Sequence, residues 1–279
     1  MKRNKNATPL VFLHGAFCGG WAFERFRAPF EAAGFETHAP NLPHHETGAD
    51  LELLAQSGLK DYTQSILELL RTLNAPPILI GHSLGGLVVQ LAAMHAPVAA
   101  LVLLAPSAPW GVPPTTLDEH SSQLGLTLLG DYWRRPIPPD YRVARATTLD
   151  RLSRDDARNA FARFVPESGR AIREAMQWWS DTSTASQAPV YRINAPVLGV
   201  AGGKDRVNPA STVHRVITRF PSTQATYHEF PEMSHWLIGE PEAPQVAALV
   251  LQWLEQRSIT ARPKRSQSSL FGWGERPDA

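Results

Sequence analysis

The stretch "PPILIGHSLGGLVVQLAAMHAP", residues 76–97, sets one serine, Ser83, between Gly81 and Gly85 where a β-like apolar run gives way to a helix-like one. Gly81-His82-Ser83-Leu84-Gly85 fits the pattern G-x-S-x-G, in which the serine occupies a strained strand-to-helix turn and its neighbours must be small for that turn to close. Such a turn lifts the hydroxyl above the carboxyl end of its strand. The helix that follows aims unpaired N–H groups and the positive end of its dipole toward charge developing near Ser83.

Around this turn the chain alternates. "PLVFLHG" reads as a strand, "WAFERFRAPFEAAGF" as a helix stopped at Gly34, and "FETHAP" as a strand. "LKDYTQSILELLRTL" has helical spacing, "PILIG" is a strand buried on both faces, Ser83 to His95 is a helix, and "AALVLLAP" is the next strand. Apolar strands alternating with helices require crossover connections, and hence a parallel sheet covered on both sides. From Ser107 to Val190 the chain is rich in Pro, Arg and aromatics, with no clear strand. The alternation resumes with "APVLGVAGGKD", "PASTVHRVITRF", "ATYHEFPEMSHW" and a closing helix, "EAPQVAALVLQWLEQ". The expected organisation is one α/β domain, residues 1–106 and 191–257, with an insertion over 107–190. Residues 258–279 are polar and without periodicity, which predicts a disordered tail.

Composition narrows the partners. A chain of 279 residues with 43% hydrophobic content can bury one large core. Its 27 Lys and Arg against 26 Asp and Glu leave a net charge of +1, so no global field recruits nucleic acid or an anionic membrane. The basic start "MKRNKNATP" is not followed by a signal-like apolar run, and no stretch of about 18 uninterrupted apolar residues occurs. The single cysteine, Cys18, excludes an internal disulfide and any multi-cysteine metal site. A cytoplasmic protein with a small, largely uncharged partner is expected.

A serine nucleophile needs a base, and the base needs an orienting acid. Asp205 lies just past the strand "VLGVA" and His235 in a loop after the next strand, so serine, acid and histidine follow one another in chain order, each at a strand exit. Other histidines are less well placed. His82 lies inside the turn, where its neighbour is expected to point away from the site; His95 ends a helix, His214 sits on one, and His228 is within a strand. The pair His44 and His45 lacks the further ligands a metal would need and reads as loop residues.

These features together resemble the α/β-hydrolase superfamily over roughly residues 8–257, with the insertion in the place of that fold's helical cap. Within it, "FLHGAFCGGWAFERF", "EAAGFETHAPNL" and "ILIGHSLGG" resemble the plant methylesterase and hydroxynitrile lyase group. The resemblance implies Ser83 as nucleophile, Asp205 as acid, His235 as base, and the backbone N–H groups of Ala16 and Leu84 as an oxyanion hole. It also implies departures: the lyase branch has a lysine after the catalytic histidine and a threonine in place of the glycine of "HG", where this chain has Trp236 and Gly15. Cyanohydrin cleavage is therefore not expected, and Ser83 excludes the aspartate-nucleophile branches of the fold.

What remains is acyl chemistry on an ester or lactone of small to medium apolar character, with no metal or organic cofactor required. Carbon–carbon bond hydrolysis or cofactor-free perhydrolysis would use the same triad, and a ligand-binding receptor with a vestigial triad is a further alternative. Phe17, Trp110, Trp133, Trp178, Trp179 and Trp236 are the candidate substrate contacts. Either a monomer or a homodimer is compatible with the sequence.

Overall fold

The computed structural model describes residues 8–261. The chain opens with β1 (Pro9–Leu13), a 3₁₀ turn over Gly20–Phe23, α1 (Ala28–Ala32) and β2 (Glu36–His38). The single helix read from "WAFERFRAPFEAAGF" is split in two because Pro29 has no N–H to give a preceding turn and so takes a place at the start of α1. A short α2 (Leu51–Gln56) follows, capped by the Asp50 carboxylate on the N–H groups of Glu52 and Leu53; six residues are too few for periodicity to announce it. Then come α3 (Leu59–Arg71), β3 (Ile78–His82), α4 (Leu84–Ala93) and β4 (Ala100–Leu104).

After β4 the chain leaves the sheet. It forms α5 (Leu117–Leu128), β5 (Pro136–Ile137), α6 (Tyr141–Thr147), α7 (Arg154–Phe161), β6 (Glu167–Ser168) and α8 (Gly169–Met176), then returns as β7 (Val197–Gly202), α9 (Ala210–Ile217), β8 (Ala225–Phe230) and α10 (Ala243–Gln256). β5 and β6 pair antiparallel, Pro136 with Ser168 and Ile137 with Glu167, so the segment read as strand-free holds a two-residue ladder too short to alternate visibly. The departure and return are neighbours: β4 pairs β7 directly, Leu101 opposite Val197.

The main sheet has the order β2-β1-β3-β4-β7-β8, every pair parallel. Period-two alternation sends Leu10, Phe12, Ile78, Ile80, Val102 and Leu198 to the face covered by α1 and α10. Val11, Leu13, Leu79, Leu101, Leu103 and Val197 pack on the other face against α3, α4 and α9. Every residue of α4 is buried, which is why its sequence is apolar all round. Parallel strands present their carboxyl ends at one edge, where ligands gather in open α/β sheets. Past α10, Ile259 and Ala261 lie against the first face, Ala261 at 6% exposure, so the expected tail begins with two packed side chains; the rest of it, 262–279, lies outside the described residues.

Among the described residues no helix is long and apolar enough to cross a membrane. Phe12 anchors the first face, its ring 5.0 Å from that of Phe23 and 5.4 Å from that of Phe30. Phe12→Ala is expected to cost about 3–5 kcal/mol of folding free energy, read as a lower urea midpoint with an unchanged slope.

Candidate active site

Ser83 is the first residue past β3 and caps α4, with φ 53° and ψ −121°. A left-handed serine is strained, and such a conformation persists only where its surroundings over-determine it. Here the Ser83 N–H donates to the Leu104 carbonyl at 3.0 Å, and the Ser83 carbonyl accepts from Gly86 and Ser107, each at 2.9 Å. The flanking glycines are required by close approach. A Cβ on Gly81 would lie 2.4 Å from the Gly85 carbonyl oxygen, and one on Gly85 would lie 2.3 Å from that of Leu13. No side chain fits in either gap.

Asp205 follows β7 and His235 follows β8. Oδ1 of Asp205 accepts the N–H groups of Val207 (2.7 Å) and Asn208 (2.9 Å), which turns its other oxygen toward His235. Nδ1 of His235 donates to that oxygen, Oδ2, at 2.8 Å, with both side chains buried. The proton is thereby held on Nδ1, leaving Nε2 as the nitrogen able to accept.

His82 does not point away from this loop, as its place inside the turn suggested: its Nε2–H donates to the His235 carbonyl at 2.8 Å, and the two rings are 4.9 Å apart. Burial, with His235 beside it, pulls the His82 imidazole down to about 3, so it is a neutral donor that ties the end of β3 to the His235 loop. From below, both oxygens of Glu240 accept the Ser234 N–H, at 3.0 and 3.1 Å. Burial raises the Glu240 carboxyl to about 7.

The loop after β1 completes the surround. Gly15 lies against the turn: a Cβ there would sit 2.9 Å from that of Ser83. His14 is wholly buried; its Nε2 accepts the Leu42 N–H at 2.9 Å, so its Nδ1 carries the proton and donates to the Gly15 carbonyl at 2.8 Å. Burial and the charge of His45 pull His14 to about 3, consistent with a neutral ring. Ala16 is half-buried next in the loop, and Leu84, as the first residue of α4, has an N–H without an intrahelical acceptor.

The aromatic candidates separate. Phe17, with φ 63°, belongs to the same loop as Ala16. Trp236 is 4% exposed, packed against Trp21, Phe164 and His82. Trp110, Trp178 and Trp179 form a string with centroid spacings of 5.3 and 5.8 Å, Trp179 at its open end with 53% exposure. Trp133 lies under the Arg173 guanidinium, 4.2 Å away, and against Tyr132. Cys18 is buried and its thiol pushed up by that burial, which leaves it a packing group.

Sequence reasoning overlooked one cluster. His45, read as a loop residue, is buried with its Nε2 3.0 Å from Oε2 of Glu167, whose Oε1 accepts the Tyr62 hydroxyl at 2.6 Å. No local pattern marks Glu167, which is 122 residues from His45. Among the described residues no group of three or more His, Cys, Asp or Glu is arranged to hold a metal ion.

The architecture and this arrangement at the strand ends are those of a hydrolase of the α/β class. The chain belongs to the alpha/beta hydrolase family, whose model matches residues 10–248. It is similar to a pyrethroid hydrolase of Sphingobium wenxiniae, 34% identical over 99 residues covering 35% of each chain. It is also similar to salicylic acid-binding protein 2 of Nicotiana tabacum, 39% identical over 95 residues, 33% of this chain and 35% of that one. Each match thus spans about a third of the relative's length. The crystal structure of a methylesterase, MES16, from Arabidopsis superposes with a TM-score of 0.68 at 17% identity, covering 89% of this chain and 99% of that one.

A carboxyl raised above its unfolded value makes ionisation unfavourable in the fold, so the contribution of Glu240 to stability falls as pH rises from about 4.5 through about 7. Glu240→Gln keeps an acceptor for Ser234 and removes the ionisation. Between pH 5 and 8 the variant is expected to gain roughly 1–3 kcal/mol on the wild type, measured as the change in their difference in urea stability.

Proposed function

We propose that this chain is a serine hydrolase that cleaves a small to medium apolar carboxylic ester or lactone through an acyl-enzyme. The observation that carries the reading is the 2.8 Å hydrogen bond from His235 Nδ1 to Asp205 Oδ2, which leaves Nε2 free to act as base at the edge where the strained Ser83 turn presents its hydroxyl. Family membership supports it, as does the similarity to a pyrethroid hydrolase.

In this reading Nε2 of His235 takes the Ser83 proton as Oγ attacks the carbonyl carbon. The N–H groups of Ala16 and Leu84 receive the developing oxyanion; as main-chain donors on a braced loop and a helix start they need no reorganisation. The leaving alcohol then receives the proton from His235. Water, activated by the same nitrogen, attacks the acyl-enzyme and releases the acid, restoring Ser83. Asp205 keeps the imidazole in the required tautomer and steadies its charge once protonated.

Residues 107–190 serve as the cap that selects the substrate. The Trp110–Trp178–Trp179 string and Phe17 supply its apolar lining, and ester groups without charge suit such a lining.

A panel of p-nitrophenyl esters and lactones tests the reading. Ser83→Ala is expected to lower kcat by at least about 10⁴-fold, and Asp205→Asn by about 10⁴-fold through the wrong imidazole tautomer. A fluorophosphonate should label Ser83 in the wild type. Full turnover by Ser83→Ala would overturn the assignment, and turnover of a β-diketone or of peroxide with acetate in preference to every ester would redirect it to carbon–carbon cleavage or perhydrolysis.

A further inference from the structure

Glu167 touches neither Ser83, His235 nor Asp205, yet its carboxylate accepts four hydrogen bonds. Oε1 takes the Tyr62 hydroxyl at 2.6 Å and its neighbour Ser168 N–H at 2.8 Å; Oε2 takes His45 Nε2 at 3.0 Å and the Phe17 N–H at 3.3 Å. The side chains of Glu167 and His45 are both fully buried. His45 Nδ1 lies 2.9 Å from the Pro43 carbonyl, which can only accept, and its Nε2 faces a carboxylate. Both ring nitrogens therefore carry protons, and the pair is an ion pair.

The titration behaviour agrees with this geometry. Burial pulls His45 down, but the charge and hydrogen bond of Glu167 outweigh it and leave the imidazole raised. Burial pushes Glu167 up, but His45, Tyr62 and the Ser168 N–H outweigh it and leave the carboxyl lowered.

Phe17 is where this cluster meets the proposed oxyanion loop. Its φ of 63° is a left-handed conformation for a bulky residue, held only by its surroundings. Residues of the inserted segment grip it at both ends: Glu167 accepts its N–H, and its carbonyl accepts the Val165 N–H at 2.9 Å. Peptide planarity carries the effect to Ala16. The Phe17 N–H and Ala16 carbonyl share one rigid unit, and the Ala16 N–H and Gly15 carbonyl share the one before. His14 fixes the Gly15–Ala16 unit through the Gly15 carbonyl at 2.8 Å, and Glu167 fixes the Ala16–Phe17 unit through the Phe17 N–H. With both planes pinned, the Ala16 N–H has one direction.

We propose that Glu167, carried by the segment between β4 and β7, is a positioning residue for acyl transfer: held by His45 and Tyr62, its carboxylate fixes the Phe17 turn and so aims the Ala16 N–H at the oxyanion formed beside Ser83. The inference rests on the acyl-transfer reading above. It makes the seating of the inserted segment a condition for a competent oxyanion hole, because the group that braces the hole belongs to that segment.

Glu167→Gln keeps the shape but leaves its four donors with one acceptor oxygen. It is expected to lower kcat on p-nitrophenyl butyrate by about 10- to 100-fold, below the ~10²–10³-fold of losing a donor outright, with KM changed less than about 2-fold. Binding of a trifluoromethyl ketone, which forms the tetrahedral adduct, and the rate of fluorophosphonate labelling at Ser83 are expected to fall by the same factor. Tyr62→Phe removes one of the four bonds without changing packing and is expected to cost about 3- to 10-fold in kcat. Glu174→Gln is the control for a purely structural effect: Glu174 is also a buried acid of the segment, bonded to the Leu59 N–H at 2.7 Å and to Arg170 at 2.8 Å, but it does not touch residues 14–17. Its kcat is expected to match the wild type.

A folded Glu167→Gln with wild-type kcat and labelling rate, or a Glu174→Gln that loses kcat equally, would overturn the inference. Should Glu167→Gln not fold, an unchanged kcat in Tyr62→Phe does so. Failure of the underlying reading looks different: the wild type itself would neither turn over esters nor be labelled at Ser83.

Discussion

The meeting of β3 and α4 at Ser83 requires two backbones to come closer than any side chain allows. Gly85 abuts the carbonyl of Leu13 in β1, and Gly81 abuts Gly85 across the turn. These approaches let a fully buried helix start directly above the central strands, and they force Ser83 into a left-handed conformation. The cost is local, so its compensation is local as well: three backbone hydrogen bonds to Leu104, Gly86 and Ser107 hold the turn from both sides. Everything else around Ser83 is built against that fixed point, from the Gly15 backbone pressed on its Cβ to the His82 ring that ties β3 to the His235 loop.

Three buried histidines near this point differ in charge for reasons visible in their partners. His14 accepts from a backbone N–H at one nitrogen and donates at the other, so it is neutral. His82 donates once, to a carbonyl, and its Nδ1 makes no hydrogen bond, so burial keeps it neutral too. His45 meets acceptors at both nitrogens and is charged. Burial alone would neutralise all three; the carboxylate of Glu167 decides the exception. A charge of that kind is stable only while both halves are present, which binds a segment far along the chain to the loop beside β1.

The parts of this arrangement that were legible in the sequence share one property: each is marked by local pattern. Gly81, Ser83 and Gly85 sit at a strand-to-helix junction, and Asp205 and His235 each follow a strand, so the six main strands and the places of Ser83, Asp205 and His235 at their ends could be read from the local pattern. The elements that escaped are shorter than a period. α2 has six residues, and β5 and β6 have two each. Pro29 divided a stretch whose apolar spacing was helical throughout. Glu167 escaped for a different reason. An isolated glutamate between Pro166 and Ser168 reads as a solvated charge, and only the tertiary approach of His45, Tyr62 and Phe17 makes it a buried anion. Likewise the direction of the His82 ring depends on the His235 loop arriving 153 residues later.

The inserted segment thus reaches the sheet domain through groups of two chemical kinds. One is aromatic: the Phe164 ring lies 6.1 Å from that of Trp21 and 6.0 Å from that of Trp236, an arrangement that tolerates small displacements because dispersion and ring contacts vary smoothly with distance. At Glu167 the connection is an ion pair with fixed donors, which is satisfied in one geometry and costly in any other because an unpaired buried charge has no water to turn to. A segment fastened in this way can shift its apolar contacts by small amounts while its anchor at Phe17 stays in register.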